Sequence, residues 1–194
     1  MKTLHLVMGL LVSLIANGLN AADSLGIIGN EPLPVIAQKV SCGRVYRVSC
    51  PLKQARKTLV IVFAVPTYQE AKARGAVDSI AYAMEHSTLR FVVFDGEKVD
   101  EQGTVNVDES IFRTTLATIV ESEVFSLPEK KAALEEYVRV TALDSGMVTA
   151  ERFDGTIKRV ERVYGESTAV NYLADELRKI VGKAASRDWS EQTP

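Results

Sequence analysis

The chain has 194 residues, 46% of them hydrophobic and 25% charged, with 23 Lys plus Arg against 25 Asp plus Glu. That is ordinary globular composition, which excludes a collagen-like repeat, a disordered tail and a polytopic membrane protein, and a formal charge of -2 gives no reason to expect nucleic acid as a partner. The length suits one domain with a core that needs neither metal nor several disulfides.

Met1 to Ala21 carries Lys2, an apolar run from Leu4 to Ala16, then polar residues and the small Ala21. This is the layout of a secretory signal. A membrane-spanning helix needs about 20 consecutive apolar residues, whereas this run ends at Asn17-Gly18. Cleavage near Ala21 and a periplasmic location are therefore expected. No stable membrane anchor is expected, since no cysteine follows the run closely and no second long apolar segment appears.

Residues 22 to 57 contain Gly26, Gly29, Pro32, Pro34 and Gly43, breaks frequent enough to predict an extended arm. The arm holds both cysteines, Cys42 and Cys50. In an oxidising compartment they are expected to form a structural disulfide. Eight residue steps span roughly 26 Å in a strand and about 12 Å in a helix, but a disulfide needs Cα atoms within about 7 Å. Gly43 to Ser49 must then turn back on itself, against the strand-like look of Arg44-Val45-Tyr46-Arg47-Val48, so a small loop or tight hairpin is predicted. A redox-active pair is the alternative, although the two-residue spacing that tunes thiol acidity is missing.

Charge is uneven along the chain. From Pro32 to Gln69 stand Lys39, Arg44, Arg47, Lys53, Arg56 and Lys57 without an acid, while Asp95 to Glu136 is dominated by acids. Two solvated faces that partly neutralise each other account for this, and an anionic surface bound by residues 32 to 69 is the alternative.

Thr58 to Val65 is a continuous apolar, β-branched run, the pattern of a strand buried on both faces. Pro66 ends it, and Thr67-Tyr-Gln-Glu70 has capping-box spacing. The helix this predicts carries Ala73, Val77, Ile80, Ala81 and Met84 on one face. Leu89 to Phe94 is the next strand, closed by Asp95-Gly96, and strand, helix, strand at these lengths predicts a parallel βαβ unit. From Asp108 a helix should bury Ile111, Phe112, Leu116, Ile119 and Val120. Ser126-Leu-Pro-Glu129 is a second capping box, predicting a third helix near Leu127 with Leu134, Tyr137 and Val138 inward. Met147 to Phe153 and Thr156 to Tyr164 flank Asp154-Gly155 and predict an antiparallel hairpin. A last helix from about Ser167 to Val181 should bury Val170, Leu173, Leu177 and Ile180, with Gly182 as its stop and residues 183 to 194 as a mobile tail.

The order strand, helix, strand, helices, hairpin, helix resembles the thioredoxin-like fold. Val62-Phe63-Ala64-Val65-Pro66-Thr67-Tyr68-Gln69-Glu70-Ala71-Lys72 looks like the strand-to-helix turn where that family places its redox motif before a Lys. Phe153-Asp154-Gly155 through Tyr164-Gly165 resembles its closing hairpin and last helix. The match covers about residues 58 to 182, with about 108 to 140 as a helical insert. It departs from the family at Tyr68 and Ala71, where the two cysteines would stand, and at Gly146-Met147, in place of the usual cis-proline. The resemblance thus implies an α/β protein with a mixed sheet and no redox activity, of a kind used as a binding or assembly module in the envelope. It also implies a partner contact at Pro66, Thr67 and above all Tyr68. A related α/β sandwich fits the same pattern.

Signals for chemistry are sparse. Beyond the leader there is one histidine, His86, placed where a helix should end and where the dipole favours a cap. No nucleophile elbow, phosphate-binding Gly loop or His-containing metal spacing occurs. Asp95, Glu97, Asp100 and Glu101 cluster without the spacing of a calcium loop, and Trp189 lies in the polar tail. No catalytic residue, cofactor or metal is expected. These signals lead to an exported, non-catalytic interaction or assembly component of a bacterial envelope system such as secretion, pilus or conjugation machinery. Two alternatives remain: a thiol-disulfide protein using Cys42 and Cys50, and a small-ligand domain at the carboxyl ends of parallel strands near Pro66 and Asp95.

Overall fold

The computed structural model describes residues 29–52, 57–125, 146–163 and 168–189. The leader, the helix expected near Leu127, and Lys53 and Arg56 lie outside them.

The fold begins earlier than the sequence pattern suggested. Helix α1, Leu33–Val40, starts behind Pro32 with Pro34 in its first turn, where a missing amide costs nothing. It stops at Ser41, whose φ of 53° is left-handed. Strand β1, Arg44–Pro51, then pairs antiparallel with β2, Lys57–Val65, from Arg44↔Val65 to Pro51↔Thr58. The predicted arm with its disulfide loop is therefore a helix and an inner strand. Alternation of Tyr46, Val48 and Cys50 with Arg47 and Ser49 outweighs the cysteine spacing, because an inner strand satisfies its amides and buries side chains along its length.

That strand also separates the cysteines. Cys42 precedes β1 and packs with Val45, Val60 and Val62, whereas Cys50 sits at the far end of β1 among Leu59, Val148 and Leu173. The two thiols are free and buried on opposite faces of the sheet. The expected disulfide is thus corrected: extended backbone between the cysteines holds them too far apart for a bond that tolerates about 7 Å between Cα atoms.

Six strands form one sheet in the order β4-β3-β2-β1-β5-β6, every neighbouring pair antiparallel. Strand β3, Thr88–Asp95, lies beside β2 with Lys57↔Asp95 and Ala64↔Thr88 in register. The predicted parallel βαβ unit is not formed. Its single crossover helix is instead two short ones, α2, Tyr68–Ala73, and α3, Ser79–Glu85, broken at Arg74 and at Gly75 with φ +72°. A crossover must climb roughly 30 Å to run beside a nine-residue strand, and helices of six and seven residues reach only about 9 and 10 Å. The chain leaves β2 and enters β3 at the same end of the sheet.

A hairpin at Gly96, φ +60°, leads into β4, Lys98–Val105. The clustered acids of this stretch thus stand on a turn and an edge strand whose charged side chains discourage further pairing. Gly103 faces Phe91 across the pair, and a Cβ there would come within 2.6 Å of the Phe91 ring. After α4, Glu109–Glu121, the described chain resumes at β5, Met147–Phe153, beside β1, and the predicted hairpin closes with β6, Ile157–Val163, around Gly155 with φ +94°. Helix α5 is Ala169–Ala184. The α/β class stands, and nothing in the antiparallel sheet is specific to a thioredoxin-like fold.

The larger core lies between one face of the sheet and helices α4 and α5, around Ile61, Phe63, Leu89, Phe112, Leu173 and Leu177. On the other face α1 covers Val45, Val60, Val62 and Phe94 with Leu33 and Ile36. Val120, expected inside, is 73% exposed, because α4 turns Thr115 and Thr118 inward beside Phe112 and Ile119. The tail also needs correcting. Gly182 lies inside α5, where a Cβ would be 2.7 Å from the Arg187 carbonyl, and the Arg187 amide donates to the Gly182 carbonyl at 2.7 Å. The chain folds back over that glycine and buries Trp189 against Phe91, ring centroids 5.1 Å apart. Of the predicted mobile tail, Lys183 and Ala184 belong to α5, residues 185–189 fold back to bury Trp189, and 190–194 lie outside the described residues.

The two charge runs meet where Lys57 pairs with Asp100 at 2.7 Å; other members pair outside the runs, Arg47 with Glu151, Lys39 with Glu31, and Glu101 with Arg187 at 2.9 Å. Arg47 also donates to the carbonyls of Gly29 and Glu31, tying the start of the described chain to the sheet. Among the described residues no helix is long and apolar enough to cross a membrane.

Candidate functional site

One end of the sheet carries the candidate site. Arg44 opens β1 opposite Val65, which closes β2. Pro66 offers no amide to extend the ladder, so the chain leaves the sheet there. Thr67 then caps α2: its hydroxyl accepts from the Glu70 amide at 3.2 Å, and the Glu70 carboxylate accepts from the Thr67 amide. The predicted capping box is therefore present. The same carboxylate lies against Gly43, where a Cβ would be 2.9 Å from it, so the box seats α2 on the foot of β1.

Asp78 restarts the chain as α3 by accepting from the amides of Ile80 at 2.9 Å and Ala81 at 3.1 Å. His86 ends that helix. Its Nδ1 donates to the Tyr82 carbonyl at 2.9 Å and its ring stacks on Tyr82 at 4.1 Å, the cap expected from its position. Asp108 starts α4 by accepting from the Ile111 amide at 2.8 Å.

Between these elements lies a groove of about 440 Å³. Its apolar lining is Val65, Pro66, Tyr68, Ile80, Phe112 and Leu116, and Arg44, Thr67, Ser79 and Arg113 supply the polar groups. Tyr68 is 65% and Ile80 57% exposed, and Val77, on the link between α2 and α3, is fully exposed. Five of the seven residues of α3 are apolar, yet none is buried. Among the described residues no carboxylate lines the groove. Arg113 pairs with Glu109 through Nε at 2.8 Å, at the surface where such pairs contribute little. Arg44 lies beside Tyr46, whose hydroxyl is held above its ordinary pKa by burial, an effect Arg44 partly offsets.

The residues expected to meet a partner, Pro66, Thr67 and Tyr68, thus come together on the groove wall. Helical spacing predicts Ile80, Phe112 and Leu116 as core: Phe112 is core and Leu116 packs on it, each also lining the groove, while Ile80 is exposed, and Arg44 reads in the sequence only as one cation of a basic run. No local signal marks these as groove residues, since the groove exists only where a strand end meets three helices.

Other candidates disperse. Burial pushes the Cys50 thiol up to about 12, and burial followed by the nearby Glu70 pushes Cys42 to about 12. Neither supplies a thiolate near neutral pH, and they do not meet, so the thiol-disulfide reading falls. Pro66 follows the end of β2 while Asp95 pairs with Lys57 at its beginning, which removes the shared crevice near Pro66 and Asp95. Asp100 and Glu101 are held by Lys57 and Arg187, and no metal-binding cluster occurs among the described residues. Trp189 is core. Compared with family models, curated proteins and solved structures, the chain has no match.

Proposed function

We propose that this is an exported periplasmic protein that works by binding another protein of the bacterial envelope, as a non-catalytic component of an assembly such as a secretion, pilus or conjugation machine. The groove beside Tyr68 is its contact site. The observation that carries this reading is the adjoining exposure of Tyr68, Val77 and Ile80 on α2, its link and α3, a helix that fully buries none of its residues, at the wall of an open apolar groove. Soluble proteins seldom leave adjoining large apolar side chains exposed unless something covers them. The leader pattern at Met1 to Ala21 supports an envelope location for that partner.

Photo-crosslinking tests it. A photoreactive residue at Tyr68 in intact cells should capture one discrete envelope protein, and a probe at the exposed Glu109 should capture the same protein less strongly. Folded, exported protein that gives no adduct at Tyr68 overturns the proposal, as does turnover of a substrate by the purified protein.

A further inference from the structure

We infer that the segment occupying this groove is acidic: an apolar anchor flanked by carboxylates, presented by a partner protein. The inference rests on reading the groove as a protein-binding site, and adds the chemistry of what binds. The chain as a whole is slightly negative at -2, yet among the described residues its groove is lined by two guanidinium groups and no carboxylate. Arg44 comes from the start of β1 and Arg113 from α4, so the fold brings together two cations that are 69 positions apart in sequence. Arginine binds carboxylate through paired, planar hydrogen bonds, and an apolar anchor seated on Phe112 and Leu116 would shield such bonds from water and strengthen them. A lysine-bearing segment would set like charges against each other there. Glu109 occupies only the Nε of Arg113, in an exposed pair that a partner carboxylate can replace.

An anionic membrane fits less well. A bilayer surface cannot enter a concave groove. Along the exposed α2–α3 segment, Lys72 and Arg74 are balanced by Glu70 and Asp78, leaving little net attraction to anionic lipid.

The test is a random peptide display selection on the full folded chain, repeated on an Arg44→Glu/Arg113→Glu double variant. The variant's fold is checked by circular dichroism and by the emission of the buried Trp189. Wild type should enrich peptides with Asp or Glu flanking one or two large apolar residues. Their affinity should fall at least about tenfold on charge reversal and weaken as salt rises. An Arg44→Lys/Arg113→Lys variant should retain intermediate affinity. Enrichment without acids, enrichment unchanged by charge reversal, or no enrichment by folded protein overturns the inference. So does co-sedimentation with phosphatidylglycerol/phosphatidylethanolamine vesicles that Val77→Asp abolishes, because it gives the surface to lipid. A Tyr68 crosslink to an envelope protein whose contacting segment is not acidic refutes only the chemistry. Acidic peptides selected in vitro with no crosslink in cells refute only the envelope partner.

Discussion

Helices α5 and α3 are both rich in apolar residues, and the fold treats them in opposite ways. α5 buries half of its sixteen residues across a face of the sheet, while α3 buries none of its seven. α5 spans enough turns to lay a continuous stripe over β1, β2 and β5. α3 is too short for that and is held at one sheet end by its cap at Asp78 and the break at Gly75. The same apolar content therefore stabilises the molecule in one place and forms a surface in the other. Hydrophobicity sets how much area seeks cover; the length and seating of an element decide whether its own chain provides it.

The sharpest way to break this contrast is to damage α5. Leu177→Ala removes a side chain that is 1% exposed and should cost about 2–5 kcal/mol, measured as a drop in the denaturant midpoint at unchanged slope. A cost under about 1 kcal/mol would mean that α5 is not the main cover of that core. Next in size is Gly182→Val. Its new Cβ meets the Arg187 carbonyl, displacing the fold-back that buries Trp189, with a cost of about 1–3 kcal/mol. The emission of Trp189, the chain's one tryptophan, should shift to the red; unchanged emission would refute the packed tail.

The thiols sharpen the comparison through pH. Cys50 lies beneath α5, and Cys42 donates weakly at 3.5 Å to the carbonyl of His86, which ends α3. Each ionises near 9.0 when unfolded and at about 12 when folded, so the native state favours the protonated thiol. Their contribution is fully present below pH 9 and is lost as pH rises toward 12. Buried Tyr46, also raised, acts in the same direction. Unfolding midpoints measured from pH 8 to 11 should fall, and Cys42→Ser/Cys50→Ser should lessen the fall. Alkylation in denaturant should also modify both cysteines equally with and without prior reduction, which a disulfide would prevent.

The smallest expected effect is the most telling for function. Ile80→Ala on α3 should change stability by no more than about 0.5 kcal/mol, while weakening capture at Tyr68. A loss of several kcal/mol would make α3 a core element and remove the contrast.

Where the signal was local, the sequence was readable. Thr67 and Glu70 lie three residues apart on one turn, so their capping box can be seen without any other part of the chain. The Asp154-Gly155 turn, the apolar run of β2 and the stripe of Val170, Leu173 and Leu177 are legible for the same reason. β4 was missed because an edge strand facing solvent on one side can carry Lys98, Asp100 and Glu101. β1 carries two conflicting signals, a cysteine spacing that suits a turn and an alternation that suits a strand, and only its pairing with β2 and β5 decides between them.

The site divides along the same line. Pro66, Thr67 and Tyr68 were visible as a strand-to-helix turn; Arg44, Ile80, Phe112 and Arg113 were not, since they approach that turn from three other elements. Class, caps, the hairpin and the stripe of the last helix follow from residues within a few positions of one another, whose geometry the backbone sets locally. Strand direction, the inner place of β1, the separation of the cysteines and the groove depend on which segments meet across the sheet. That was settled by the reach of the connectors and by the burial of both sheet faces at once, neither of which acts between neighbours in the chain.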